Sequence, residues 1–182
     1  MKGGAGEGCS KVIQGETFTF EEKEVPVSYF SECSKLTTVE LSGVTTIKES
    51  AFEGTGLIRI VIPESCKLIE DSAFARCNSL TSITFQLPSF PPGEEQKLTL
   101  KNGVFQSCSA LKNISIKVEE QEHDVVENGE LTETAKKPDF KSKYIEPYFE
   151  LTFFGTEPGP FKYSVIKSDD THLEELNDLF KP

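Results

Sequence analysis

The stretch ESAFEGTGLIRIVIPESCKLIEDSAFARCNSLTSITF, residues 49–85, carries one pattern twice. Ala51-Phe52 and Ala73-Phe74 stand 22 residues apart. Each pair is followed by a leucine, Leu57 or Leu80, and then by apolar residues three and five positions on, Ile60 with Ile62 and Ile83 with Phe85. Working outward, the pattern recurs in YFSECSKLTTVEL (29–41) and VFQSCSALKNISI (104–116). The anchors are Phe30, Phe52, Phe74 and Phe105, at steps of 22, 22 and 31 residues. Five residues before each anchor sits an aliphatic: Val25, Ile47, Ile69 and Leu100. The leucines are Leu36, Leu57, Leu80 and Leu111; the second comes five residues after its anchor and the others six.

The L-x-x-I-x-I ending alternates with period two, so its apolar side chains fall on one face of a short strand. The Phe-x-x-Cys-x-x-Leu run before it reads as a tight or helical turn with Phe and Leu pointing inward. One such unit cannot cover its own apolar face; stacked units bury like residues at like positions. A period near 22 residues predicts a short leucine-rich-repeat solenoid. Its strands form a parallel ladder, with short turns or helical turns opposite. Phe30, Leu36, Phe52, Leu57, Phe74, Leu80, Phe105 and Leu111 are its expected core.

Cys33, Cys77 and Cys108 share one slot, three residues after the anchor, which Thr55 fills in the second copy. The favoured reading is inert packing, because free cysteine is often buried and unreactive; a zinc set or a disulfide set is the alternative. Same-slot cysteines 44 and 31 residues apart lack the close C-x-x-C pairing of zinc sites. Cys9 and Cys66 lie outside the slot, and a total of five disfavours a fully paired framework.

The segment 49–85 resembles the BspA-like, or Treponema-type, leucine-rich repeats, whose pattern runs as isoleucine, Ala-Phe, Cys, then Leu-x-x-Ile-x-Ile-Pro. The matching residues are Ile47, Ala51-Phe52, Leu57, Ile60 and Ile62-Pro63, then Ile69, Ala73-Phe74, Cys77, Leu80, Ile83 and Phe85. The resemblance covers residues 25–116. It departs from the pattern where the post-strand proline survives only at Pro63 and where the third unit carries an insertion. It implies an adhesion or protein-interaction scaffold without enzymatic activity, and a cell-surface or secreted location, although the N-terminus shows no apolar signal core and no anchor segment is visible.

Outside the repeats, residues 1–10 are small and polar and read as a flexible end. Residues 11–24 read as an N-terminal strand cap around Thr17, Phe18, Thr19 and Phe20. The repeats, 25–116, are interrupted at about 86–97 by QLPSFPPGEEQK, a bulging loop by its prolines and glycine, with Phe90 as a possible anchor for a partner. Residues 117–134 hold seven acids and read as a solvated loop or hairpin turning at Asn128-Gly129, with a docking surface for a basic partner as a further option. Residues 135–182 form an aromatic-rich α/β cap. It is expected to contain strands at about 147–154 and 161–166, joined by a turn from Gly155 to Gly159, and a short amphipathic helix at 169–180.

The 182-residue chain has 30 acidic and 19 basic side chains, a net charge of −11 and only two arginines, Arg59 and Arg76. That argues against nucleic acid as a partner. No run approaches the roughly 18 apolar residues of a membrane span. The chain contains no P-loop, no G-x-G-x-x-G and no G-x-S-x-G. His123 and His172 lack a spaced second ligand, so neither metal, cofactor nor catalytic group is expected. The sequon Asn113-Ile114-Ser115 falls within a repeat strand and is read as a chance occurrence.

Function is placed on the outward strand positions: Thr38 and Glu40, Arg59 and Val61, Ser82 and Thr84, Asn113 and Ser115. Stacking sets them in rows on an exposed face that would bind a protein or glycan partner. The alternatives are a spacer or fragment of a longer repeat protein with no ligand site of its own, and, ranked last, a carboxylate-based hydrolase.

Overall fold

The computed structural model describes residues 4–89, 92–93 and 96–151. Within them lie twelve strands: β1 (Thr17–Thr19), β2 (Glu24–Val25), β3 (Thr38–Glu40), β4 (Thr46–Ile47), β5 (Arg59–Ile62), β6 (Leu68–Ile69), β7 (Ser82–Leu87), β8 (Leu98–Leu100), β9 (Asn113–Val118), β10 (Gln121–Glu127), β11 (Glu130–Leu131) and β12 (Phe149–Leu151). They make two five-stranded sheets, ordered β11-β10-β9-β7-β5 and β12-β8-β6-β4-β2, and a separate parallel pair β1-β3. Pairing is parallel throughout except where β10 meets β9 and β11.

Each repeat contributes to both large sheets. The L-x-x-I-x-I endings supply β5, β7 and β9, in register through Ile60↔Ile83↔Ile114 and Ile62↔Phe85↔Ile116. The aliphatics before each anchor supply β2, β4, β6 and β8, in register through Val25↔Ile47↔Ile69↔Leu100. The side opposite the first ladder is therefore itself partly strand, not turns alone as the sequence reading had it. All eight anchors and leucines expected in the core are buried.

The Phe-x-x-Cys segments are turns, and the reason they do not become helices is where their amides point. Alternate amides close i→i−3 turns: Ala51 to Lys48, Glu53 to Ser50 and Thr55 to Phe52. The amides between them donate to the next repeat: Ser50 to Asp71 at 3.1 Å, Phe52 to Ala73 at 2.7 Å and Gly54 to Ala75 at 2.9 Å. The next step repeats this, with Ser72 donating to Asn102, Phe74 to Val104 and Arg76 to Gln106. A helix would spend these donors within one segment. The alternation places left-handed residues two before the anchor (Ser28, Ser50, Ser72, Gly103) and two after it (Glu32, Gly54, Arg76, Ser107). The turns are thus a third hydrogen-bonded wall.

Inside, the anchors form a column. Phe30, Phe52, Phe74 and Phe105 stack at centroid spacings of 5.2, 5.1 and 5.5 Å, with interplanar angles of 12°, 2° and 16°. Phe18, Phe20 and Tyr29 meet Phe30 edge-on, and Phe85 meets Phe105 edge-on. A column with the spacing of neighbouring backbones brings rings together whose edges and faces are otherwise matched only at its ends.

Several expectations need correction. Residues 4–11 are not a flexible end. They include a 3₁₀ turn, Glu7–Lys11, and Cys9 is disulfide-bonded to Cys33. Gly6 and Gly8 donate to the carbonyls of Ser28 and Tyr29, continuing the bonding of the turn wall. Gly8 packs where a Cβ would lie 2.4 Å from the Tyr29 ring and 2.7 Å from that of Phe30. Cys33 is consequently not an inert thiol. Cys77 and Cys108 are free and buried, and each donates at 3.1 Å to the carbonyl of the anchor in the preceding repeat, Phe52 and Phe74. A thiol in this slot suits an inward position that must still satisfy a backbone acceptor.

Gln86 and Leu87, assigned to the inserted loop, belong to β7, since Gln86↔Lys117 and Leu87↔Val118 prolong its ladder with β9. The ladder ends at Pro88, which cannot donate. Beyond Ile116 the chain does not leave the stack for good. After the hairpin β10-β11 and one π-helical turn, Lys141–Ile145, it returns as β12, parallel to β8 with Phe149↔Leu98. Phe90, the turn at 155–159, the strand expected at 161–166, His172 and the helix expected at 169–180 lie outside the described residues.

Candidate functional site

Strand alternation turns one set of side chains outward from the β3 and β5-β7-β9 ladder. One row runs Arg59, Ser82, Asn113, and the next Val61, Thr84, Ser115, as the register pairs them. On the separate pair, Thr17 stands beside Thr38 and Thr19 beside Glu40, the first two hydroxyls lying 3.2 Å apart. Arg59, Val61 and Glu40 are exposed, and Thr38, Ser82, Thr84 and Asn113 are half-buried. The rows are not one unbroken sheet face, because β3 and β5 belong to different sheets. The break coincides with the second repeat, one residue shorter between anchor and leucine, where Gly56 presses its backbone on the first: a Cβ there would lie 2.1 Å from the Ser34 carbonyl oxygen.

Ser115 departs from the expected exposure, at 7%. The hairpin explains it. β10 lies along β9 with Asp124 opposite Ser115 and Glu122 opposite Lys117, which makes β9 an internal strand. Ser115 Oγ and Thr84 Oγ1 close on each other at 3.0 Å. Asn113 is also drawn in, its Oδ1 accepting the Asn128 amide at 3.1 Å.

The acidic run forms the hairpin turning at Asn128-Gly129 that the sequence offered as one option, and through β10 it is part of the strand face rather than a solvated loop beside it. The register slips between Asp124 and Val126, leaving Val125 as an extra residue. Both valines are buried. In a regular strand Asp124 and Glu127, three positions apart, would face opposite ways. The bulge brings both to the outer side. They border, with Glu122, a recess of about 210 Å³ whose other walls include the polar residues Ser82, Thr84, Asn113 and Ser115 and the apolar Ile83, Ile114 and Val126. A second recess of about 250 Å³, lined by Glu64, Gln86, Lys117 and Glu119 among others, lies at the far ends of β7 and β9. The sequence reading missed the three carboxylates as members of this face. The sequence signals were the hairpin turn at Asn128-Gly129 and the alternation of Glu122 and Asp124.

His123 turns to the opposite side of β10, its ring 4.4 Å from that of Tyr144, so it forms no acid-histidine pair with Asp124 across the recess. The recess carboxylates share one strand, with hydroxyls facing them, unlike the two flanking carboxyls of glycoside hydrolysis. Among the described residues no group of three or more His, Cys, Asp or Glu could hold a metal ion. Burial pushes the Cys66 thiol up to about 12, leaving it neutral and unreactive at physiological pH. No helix of the described residues is long and apolar enough to cross a membrane.

These features define a class: stacked repeats whose parallel strands display a broad outer face. Comparison with protein families matches residues 23–146 to the BspA type leucine rich repeat region, in 6 copies. The chain belongs to the BspA-type leucine-rich-repeat family. The six copies exceed the four expected from residues 25–116 and extend across the hairpin. Among solved structures, a leucine rich cell surface protein from Faecalibacterium prausnitzii A2-165 is similar at 27% identity, with a TM-score of 0.40, over 56% of this chain and 35% of that one. The chain therefore spans about a third of that protein's length. No curated protein matches the chain. Repeats of this family generally serve interaction or surface roles and are typically not enzymes.

Proposed function

We propose that the chain is a short solenoid that binds a protein partner through the outward face of β5, β7, β9 and β10, at the cell surface or after secretion. The observation that carries this reading is the continuous outer face, in which Arg59, Val61 and Thr84 lead across the repeats to the carboxylates of β10. Repeat strands stacked in this way make wide binding surfaces. Val61, 42% exposed beside Arg59, supplies an apolar contact within the polar rows. The Cys9–Cys33 disulfide supports an oxidising compartment, as such bonds persist outside the cytosol.

The test compares partner capture from cell-surface and matrix extracts by the wild-type chain, by Arg59→Glu with Thr84→Trp, and by Lys48→Glu just after β4, beside the other large sheet. Loss confined to the strand-face variant supports the reading. Equal capture by all three, with folding intact by circular dichroism, overturns it.

A further inference from the structure

We infer that Cys77 and Cys108 are a second cross-linking pair, which a small-molecule disulfide of the glutathione class converts to a covalent bond between the third and fourth repeats. The pair lies in the turn wall and is independent of the strand face. One column of side chains carries it. Cys9, Cys33, Thr55, Cys77 and Cys108 follow at separations of 24, 22, 22 and 31 residues, and consecutive members stand in neighbouring, hydrogen-bonded layers of the wall. The first two are already bonded, with Cα atoms 5.4 Å apart. Thr55 Oγ1 lies 3.2 Å from Cys77 Sγ. The Cys77 and Cys108 thiols are within hydrogen-bonding reach of each other, and Cys108 Sγ also reaches the carbonyl of Phe74, three residues before Cys77.

Their layers are tied by the Phe74 amide to Val104 at 2.9 Å and the Arg76 amide to Gln106 at 2.8 Å. Chains bonded in this way run about 4.7–4.9 Å apart, inside the roughly 4.4–6.8 Å that a disulfide spans between Cα atoms. The column also accounts for the odd cysteine total. It holds two adjacent couples with Thr55 between them, so Cys33 and Cys77 stand two layers apart, beyond that span. Cys66, outside the column and directed at the Leu68 carbonyl, is the thiol left over.

In the exchange, one cysteine thiolate attacks a sulfur of the oxidant and expels a glutathione thiolate. The second attacks the mixed disulfide and expels the other. Two electrons pass from the pair to the oxidant, and the two cysteine protons end on the two released glutathiones. Both thiols are buried, so the oxidant meets them when the fourth unit opens locally or before it has docked.

The experiment exposes the full chain to a buffer of reduced and oxidised glutathione in two arms, one native and one refolding from the reduced, unfolded state. Samples are quenched in acid, alkylated under denaturing conditions and mapped by mass spectrometry. Alkylatable cysteines should fall from Cys66, Cys77 and Cys108 to Cys66 alone, with loss of two hydrogens and a linked peptide pair carrying Cys77 and Cys108. Cys66→Ser should close the same bond. Closure on refolding alone places the reaction before the fourth unit docks and supports the pair. Both thiols still alkylated in both arms, arrest at glutathione adducts, or linkage of either to Cys66 or Cys33 overturns it. The closed chain should also unfold at a higher urea midpoint than the open one, because the bond restrains the unfolded segment between repeats. An unchanged or lower midpoint means that the bond is forced on the walls, and it overturns the column as a site built for cross-linking.

Discussion

Replacing Phe74 by alanine takes out the third ring of the anchor column, which is fully buried between Phe52 at 5.1 Å and Phe105 at 5.5 Å. Lost transfer free energy for the ring is about 2–3 kcal/mol, and the two stacked contacts add about 0.5–1.5 kcal/mol each. The site has little means of closing. The Phe74 amide is tied to Val104 at 2.9 Å and the Phe52 amide to Ala73 at 2.7 Å, so the walls on either side of the hole are held at the spacing of the ladder. The cost therefore belongs in the upper half of the roughly 3–5 kcal/mol range for phenylalanine truncation. Urea unfolding followed by circular dichroism measures it, as a fall in midpoint at constant slope. A loss below about 1 kcal/mol would mean that neighbouring rings slide in to fill the gap, which the backbone bonding forbids. That result would refute the account of the column as a set of rings fixed by the turn wall.

Gly56→Ala forces a Cβ against the Ser34 carbonyl oxygen and should cost about 1–3 kcal/mol, whereas Gly93→Ala, whose nearest contact is 3.7 Å from Gln96, should be neutral by thermal unfolding. Reducing the Cys9–Cys33 bond, or Cys9→Ser, opens a loop with a sequence separation of 24 and should cost about 3 kcal/mol; an unchanged melting temperature under reductant argues against residues 4–11 bracing the first repeat. The Cys66 thiol stays protonated in the folded chain up to about 12, while its ordinary value is 9.0. Between those values the unfolded chain binds fewer protons, so stability is full below the lower one and falls as pH rises, by about 1.4 kcal/mol per unit. Cys66→Ala should lose that slope relative to wild type in alkaline denaturation, and parallel curves would count against the burial argument.

The repeat was legible because its residues answer to local rules. Period two in Ile60-Val61-Ile62 and a fixed step between phenylalanines require neither long-range information nor a partner strand to be seen. The second sheet was harder to read. Val25, Ile47 and Ile69 were identified as a column, yet strands of two residues carry no alternation of their own and exist through pairing with their neighbours. The turns were open between helix and turn for a related reason, since the choice depends on acceptors in the next repeat. The candidate site was half legible: Arg59, Val61, Ser82 and Thr84 follow from alternation, but Glu127 on the same face as Asp124 depends on a bulge that forms only against β9.

By itself, then, the sequence determined the unit, its anchors, the inward residues of each main strand and the surplus of acid after the last clear copy. Tertiary structure alone decided that Cys9 reaches Cys33, that β10 folds back on β9 to bury Ser115, and that β12 rejoins the stack. Apolar spacing is a property of a short segment and its own backbone. Disulfide partners, bulges and edge pairing are set by which segments stand a few ångströms apart after the stack has formed, and the acidic face exists only once they do.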